Sequence, residues 1–115
     1  MATPAAANRG AEKRNYSRDE LSQFDGSSPD APILIAICGL IYDVTPKEDM
    51  YGIGGPYSYM AGKDASRMLA KMATKDDAAK MTDPSIADLD EKEQKTLDQW
   101  IAMFQKYEVL RKLLD

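Results

Sequence analysis

The stretch Tyr51-Gly-Ile-Gly-Gly-Pro-Tyr-Ser-Tyr-Met-Ala-Gly-Lys-Asp-Ala-Ser-Arg67 decides how the rest of the chain is read. It holds four glycines, a proline and three tyrosines in seventeen residues. Glycine lets the backbone bend sharply and come close to a flat ligand. Pro56 suits the first position of a helix. A turn that opens into a helix with phenols at its mouth suggests a pocket. The plain alternative is a glycine-rich loop whose tyrosines cap a core with their hydroxyls wet.

On the N-terminal side of this stretch runs Pro32-Ile-Leu-Ile-Ala-Ile-Cys-Gly-Leu-Ile-Tyr-Asp-Val44. Its two β-rich halves predict a hairpin, Ile33–Ile37 with Leu40–Val44, turned at Gly39 by a positive φ. Continuous apolarity, without alternation, predicts strands covered on both faces. Lys47-Glu48-Asp49 reads as a polar turn. Before the hairpin, Ser17-Arg-Asp-Glu20 is a capping box for a short helix that gives Leu21 and Phe24 to a core. Residues 1–15, rich in Ala, Pro, Asn and charge, read as a disordered tail, and 16–115 as one domain.

On the C-terminal side the pattern is helical. Short helices are expected near Pro56–Ala61, near Asp64–Met72 with Asp64 as cap, and from Thr74 to about Met81. Asp83-Pro84 breaks the third, because the residue before proline is pushed out of the α region. Asp90-Glu-Lys-Glu93 caps a longer helix. In it Leu97, Trp100, Ile101 and Phe104 fall at i, i+3, i+4 and i+7, a stripe read as core and not as a cofactor box. Val109, Leu110, Leu113 and Leu114 remain in an apolar tail. The outline is α+β, a small sheet carrying a helical insertion.

Composition narrows the chemistry. The chain has 115 residues, a net charge of −4 and one cysteine. The charge argues against a nucleic-acid partner. Cys38 lies in an apolar run and reads as a small buried hydrophobe in a reducing compartment. No apolar run is long enough to span a bilayer, and Met1–Arg14 lacks a signal-peptide core. There are no histidines. That removes Ser-His and Cys-His nucleophiles, histidine acid–base catalysis and histidine metal sites. The carboxylates are scattered caps and surface charges with no paired acid and base, so an enzyme is not expected.

Taken together, Tyr16-Ser-Arg-Asp-Glu-Leu, Ile41-Tyr-Asp-Val-Thr45, Tyr51-Gly-Ile-Gly-Gly-Pro-Tyr57, Ala61-Gly-Lys-Asp-Ala-Ser-Arg67 and Leu97-Asp-Gln-Trp100 resemble the cytochrome b5-like haem/steroid-binding domains. The subfamily resembled is that of the membrane-associated progesterone receptors. The resemblance implies a small mixed β-sheet flooring a cleft between two pairs of short helices. Cytochrome b5 holds haem between two histidines, one in a His-Pro-Gly-Gly turn. Here the matching turn is Gly54-Gly-Pro-Tyr57, and a chain without histidine cannot use that ligation. The resemblance implies Tyr57 as the single axial ligand of a ferric haem b, bound as phenolate. It implies supporting roles for Tyr51, Lys106 and Tyr107: hydrogen bonds to the ligand from the phenols, and a haem propionate for the Lys106 ammonium. Tyr59 and Tyr42 fall outside that set and read as packing. Asp64, Ser66 and Arg67 read as a helix cap and polar contacts.

The function this implies is haem carriage or sensing, or support of cytochrome P450 enzymes of sterol metabolism. A single phenolate stabilises the ferric state and suits rapid electron transfer poorly. The other readings are a steroid or lipid module using the same cleft without iron, and a protein-interaction adaptor. Many members of the family carry an N-terminal membrane helix. The expected location is the cytoplasm, or the cytoplasmic face of the endoplasmic reticulum through partners.

Overall fold

The computed structural model describes residues 12–81, 83 and 85–114. Helix α1 (Arg18–Leu21) starts at the expected capping box. The Ser17 hydroxyl accepts from the Glu20 amide, and the Glu20 carboxylate accepts from the Ser17 amide. The helix carries Leu21 into the core.

Strands β1 (Leu34–Ile37) and β2 (Leu40–Asp43) pair antiparallel with Ile37 opposite Leu40, as the sequence predicts. The two-residue turn puts both Cys38 (φ 49°) and Gly39 (φ 84°) in the left-handed region. That is the twist a tight hairpin demands, so glycine does not supply it alone. Cys38 is consequently exposed at the turn and is not the buried hydrophobe expected. Its backbone amide donates to Ser66 Oγ at 2.7 Å.

Side chains of a strand alternate between faces. Ile33, Ile35, Ile37, Tyr42 and Val44 therefore join the larger core cluster, which also holds Leu69, Leu97 and Phe104. Leu34, Ala36 and Ile41 join a smaller one with Tyr16, Leu21 and Leu110. Both faces are covered, which explains the unbroken apolar run.

The expected apolar tail is a third strand. Strand β3 (Glu108–Lys112) pairs antiparallel with β2, with a register irregularity between Leu40 and Tyr42. Alternation buries Leu110 and leaves Val109 exposed. Isolated parallel bridges, Tyr16 to Leu113 and Ala36 to Asp64, extend this small sheet. The chain is already engaged at residues 12–15, earlier than the expected domain start: Asn15 Oδ1 accepts from the Lys112 amide, and Lys13 pairs with Glu108 at 3.2 Å. The rest of the expected tail, residues 1–11, lies outside the described residues.

Between β2 and β3 sits the helical insertion. The expected polar turn at Lys47–Asp49 is instead a 3-10 turn (Thr45–Lys47) running into α2 (Glu48–Tyr51). A 3-10 turn (Ser58–Met60) follows, then α3 (Ser66–Ala70) and α4 (Lys75–Ala79). Thr74 and Asp77 form the capping box of α4. Asp64 is not the cap of α3. Its carboxylate accepts from the Ser66 amide and hydroxyl, and Ser66 Oγ in turn receives the Cys38 amide, so the helix start is tied to the hairpin turn. The break assigned to Asp83-Pro84 comes earlier, since α4 already ends at Ala79. Helix α5 (Glu91–Phe104) begins at the Asp90–Glu93 capping box. It buries Leu97 and Phe104, while Trp100 and Ile101 are half-buried. A 2.9 Å bridge from Lys71 to Glu93 fastens the end of α3 to α5.

Candidate functional site

The segment from Met50 to Tyr57 folds back on itself. The Gly52 amide donates to Glu48 O at 2.8 Å, and the Gly55 amide to Gly52 O at 2.9 Å. The Tyr57 amide then returns to Met50 O at 2.9 Å. Gly55 passes so close to Met50 that a Cβ there would collide with the Met50 carbonyl oxygen. Glycine at 55 is what lets the chain cross that carbonyl and set Tyr57 beside α5.

Tyr57 then belongs to a chain of aromatic rings. Its centroid lies 6.0 Å from Tyr51 and 6.5 Å from Trp100, meeting the latter edge to face. Trp100 and Tyr51 each pack on Phe104, at 6.5 and 6.2 Å, and Tyr107 lies 5.1 Å from Phe104. Phe104 is fully buried and joins the site to Tyr42 and the sheet. These edge-on pairs hold ring positions better than apolar area alone would.

The outer side of this ring chain is a cleft of about 130 Å³. Tyr57, Tyr59 and Met60 form one wall. Met68, Leu69, Met72 and Ala73 form another, and Trp100 closes it from α5. Apart from two phenols and the indole N–H, the side chains are apolar. The Tyr59 hydroxyl is already engaged, donating to Ala73 O at 3.0 Å. No such bond ties the Tyr57 hydroxyl among the described residues.

Of the residues expected to act together, the structure gathers Tyr51, Tyr57 and Tyr107 around Phe104. Tyr57 lines the cleft; Tyr51 sits behind it in the core, 5% exposed. Burial, reinforced by Tyr107 and Tyr57, pushes the Tyr51 phenol far above the usual tyrosine range. Burial, with nearby Asp49, pushes Tyr107 up as well. Both phenols therefore stay protonated at physiological pH and keep an O–H that can donate. Lys106 is exposed, its ammonium 5.3 Å from the Tyr107 ring centroid, and does not line the cleft.

Of the eight described residues that line the cleft, only Tyr57 is named from the sequence as a site residue. Trp100 reads there as core and Tyr59 as packing, and both also pack against the core. The indole at i+3 of the apolar stripe is the one signal that points to Trp100.

Larger recesses lie elsewhere. One of about 260 Å³ is lined by Arg18, Lys63, Asp64, Arg67, Met68 and Asp83, among others, and one of about 620 Å³ runs along Arg67, Lys71, Lys80 and Asp88. Their charges are largely matched: Arg67 grips Asp88 with both guanidinium nitrogens, and Lys71 grips Glu93. They suit a flat apolar ligand less well than the smaller cleft. No group of acids and cysteines among the described residues could hold a bare metal ion.

Comparison with known proteins bears on the fold and the family. The model of the "Cytochrome b5-like Heme/Steroid binding domain" family matches residues 17–109. The chain is 41% identical over 100 residues to "Probable steroid-binding protein 3" of Arabidopsis thaliana, covering 86% of this chain and 97% of that one. It is 35% identical over 113 residues to human "Membrane-associated progesterone receptor component 2", covering 97% of this chain and half of that protein. A solved structure from Arabidopsis thaliana, described as having a cytochrome b5 like fold, superposes with a TM-score of 0.76 at 40% identity, over 90% of this chain and 94% of that one. The chain belongs to the cytochrome b5-like haem/steroid-binding domain family.

Proposed function

We propose that this domain binds haem in the cleft beside Tyr57, with the Tyr57 phenolate as the single axial ligand of ferric iron. One observation carries the reading. In a chain without histidine, Tyr57 offers a half-buried phenol at an apolar cleft, and its hydroxyl is tied to no other described residue. A cation at the phenol oxygen favours the deprotonated form, so a group with a free pKa of about 10 can ligate at neutral pH.

The donor set fits the group, and the size of the cleft limits how it would sit. At about 130 Å³ it is smaller than the roughly 300–1,000 Å³ of sites that enclose a drug-sized ligand. A macrocycle would rest with one part seated and the remainder open to water. Met60, Met68, Leu69 and Ala73 would supply the apolar seat, with Trp100 beside them. Tyr51 holds the Tyr57 ring from behind. Tyr107 packs on Phe104, and Lys106, an exposed cation beside the Tyr107 ring, would pair with a propionate. Bound haem would supply a ferric centre kept oxidised by its anionic ligand, which suits carriage or sensing and not catalysis. Support of cytochrome P450 enzymes, at the cytoplasmic face of a membrane, extends this reading through kinship. No described helix is long and apolar enough to cross a membrane.

Steroid or lipid binding is the second reading. The apolar lining of the cleft favours it, as does the relative named a steroid-binding protein. Haem titration of the purified protein separates the two. A Soret band that saturates at one haem per chain supports the first reading. Saturable steroid binding by a protein that takes up no haem supports the second.

A further inference from the structure

Helix α3 ends in a way that singles out Met72. The Met72 amide donates to Leu69 O at 3.2 Å, and the Ala73 amide to Met68 O at 2.9 Å. This pair of bonds is a Schellman cap, with Met72 at the position that follows the last half-helical residue. That position takes a left-handed backbone, and Met72 has φ 51°. Glycine is the residue the position favours, because any Cβ there is strained. Methionine occupies it nonetheless, and its side chain is 74% exposed, so it gains little from burial in the protein itself. Stability does not account for the choice. The side chain does line the Tyr57 cleft, next to Ala73, whose carbonyl is held by the Tyr59 hydroxyl. The strained corner therefore borders the site and is joined to it through Ala73, and backbone strain is commonly tied to function.

We propose that Met72 is a ligand-contact residue, kept at a glycine-favouring corner so that its side chain covers the exposed part of the flat ligand. The inference rests on the proposed binding of haem beside Tyr57. A thioether chain has three rotatable bonds and a polarisable sulfur, and adapts to a flat surface without a fixed shape. Met60 and Met68, deeper in the same cleft, give the seated part of the ligand a similar lining.

The test pairs thermal unfolding of the haem-free protein with haem titration, for wild type and for Met72→Gly, Met72→Ala and Met72→Leu. Met72→Gly relieves the backbone and removes the side chain. Its haem-free melting temperature should rise by roughly 4–8 °C, while its haem affinity falls on the order of tenfold through lost apolar contact. Met72→Ala removes the side chain but keeps the Cβ, so it should lose a similar affinity without the rise in Tm. Met72→Leu keeps the apolar bulk and should bind within about threefold of wild type. Tyr57 is intact in all three, so the phenolate-to-iron absorption should persist. Wild-type affinity in the glycine and alanine variants, or no rise in Tm for the glycine variant, would overturn the inference and leave haem binding standing. A wild-type protein that takes up no haem would overturn both.

Discussion

Two residues of the glycine-rich stretch show how much one side chain decides. Gly55 must lack a Cβ because the Met50 carbonyl occupies its place, and that same carbonyl receives the Tyr57 amide. Gly55→Ala should displace the turn, destabilise the fold by about 1–3 kcal/mol as overpacking does, and weaken haem uptake along with it. Urea unfolding and titration of the same sample check both. Tyr51 makes a different prediction. Its folded-state pKa is raised, first by burial. The stability this gives is complete below the unfolded pKa of about 10 and is lost as pH rises from there toward the folded value. Wild type should therefore lose stability in alkali, because only the unfolded phenol ionises readily. Tyr51→Phe has no such proton to lose. Its urea midpoint should fall less than that of wild type between about pH 8 and about pH 11; an equal fall would show that other groups control alkaline unfolding.

At the scale of elements, what the sequence made legible was local chemistry. The three capping boxes at Ser17, Thr74 and Asp90 each satisfy orphan amides within four residues, so their side chains announce them. The hairpin was legible from its β-branched runs. Helix α2 was not, because it is one turn long with no side-chain cap, and packing of Tyr51 and Met50 on the core sets it. Strand β3 was hidden by its charges: Glu108, Arg111 and Lys112 leave Leu110 as its one buried side chain, and pairing with β2 decides its state. Cys38 looked buried because its neighbours are, while the turn geometry puts it outside. In the candidate site, Tyr57 was singled out by the family resemblance that its glycine-proline turn helps to carry, whereas Met72 follows from a helix end that no local pattern marks. Helix α5 separates core from site in a way that can be measured. Leu97 is fully buried, and Leu97→Ala should cost about 2–5 kcal/mol. Trp100 is half-buried and lines the cleft, so Trp100→Ala should cost less stability than Leu97→Ala and more haem affinity. Denaturant unfolding and haem titration of both variants would show it, and the reverse order would move Trp100 back into the core.

The whole molecule combines a sheet with core packed on both faces and a helical insertion that holds the cleft on one of them. Its net charge is −4, and many described cations are matched by acids, as in Arg67 with Asp88, Lys71 with Glu93 and Arg14 with Glu20. Among the described residues no basic stripe is left for a phosphate backbone, so duplex DNA should not bind appreciably at physiological salt; a salt-sensitive mobility shift would contradict this. The central claim concerns a single oxygen atom. It is tested most directly by absorption titration of ferric haem into wild type and Tyr57→Phe, with Tyr16→Phe, in the core cluster beyond the sheet, as the control. Tyr57→Phe keeps the ring against Tyr51 and Trp100, so the fold should hold. The account predicts saturable uptake with a phenolate-to-iron band in wild type and control, and weaker uptake without that band in Tyr57→Phe. A Tyr57→Phe protein that binds haem with wild-type affinity and an unchanged spectrum would contradict it.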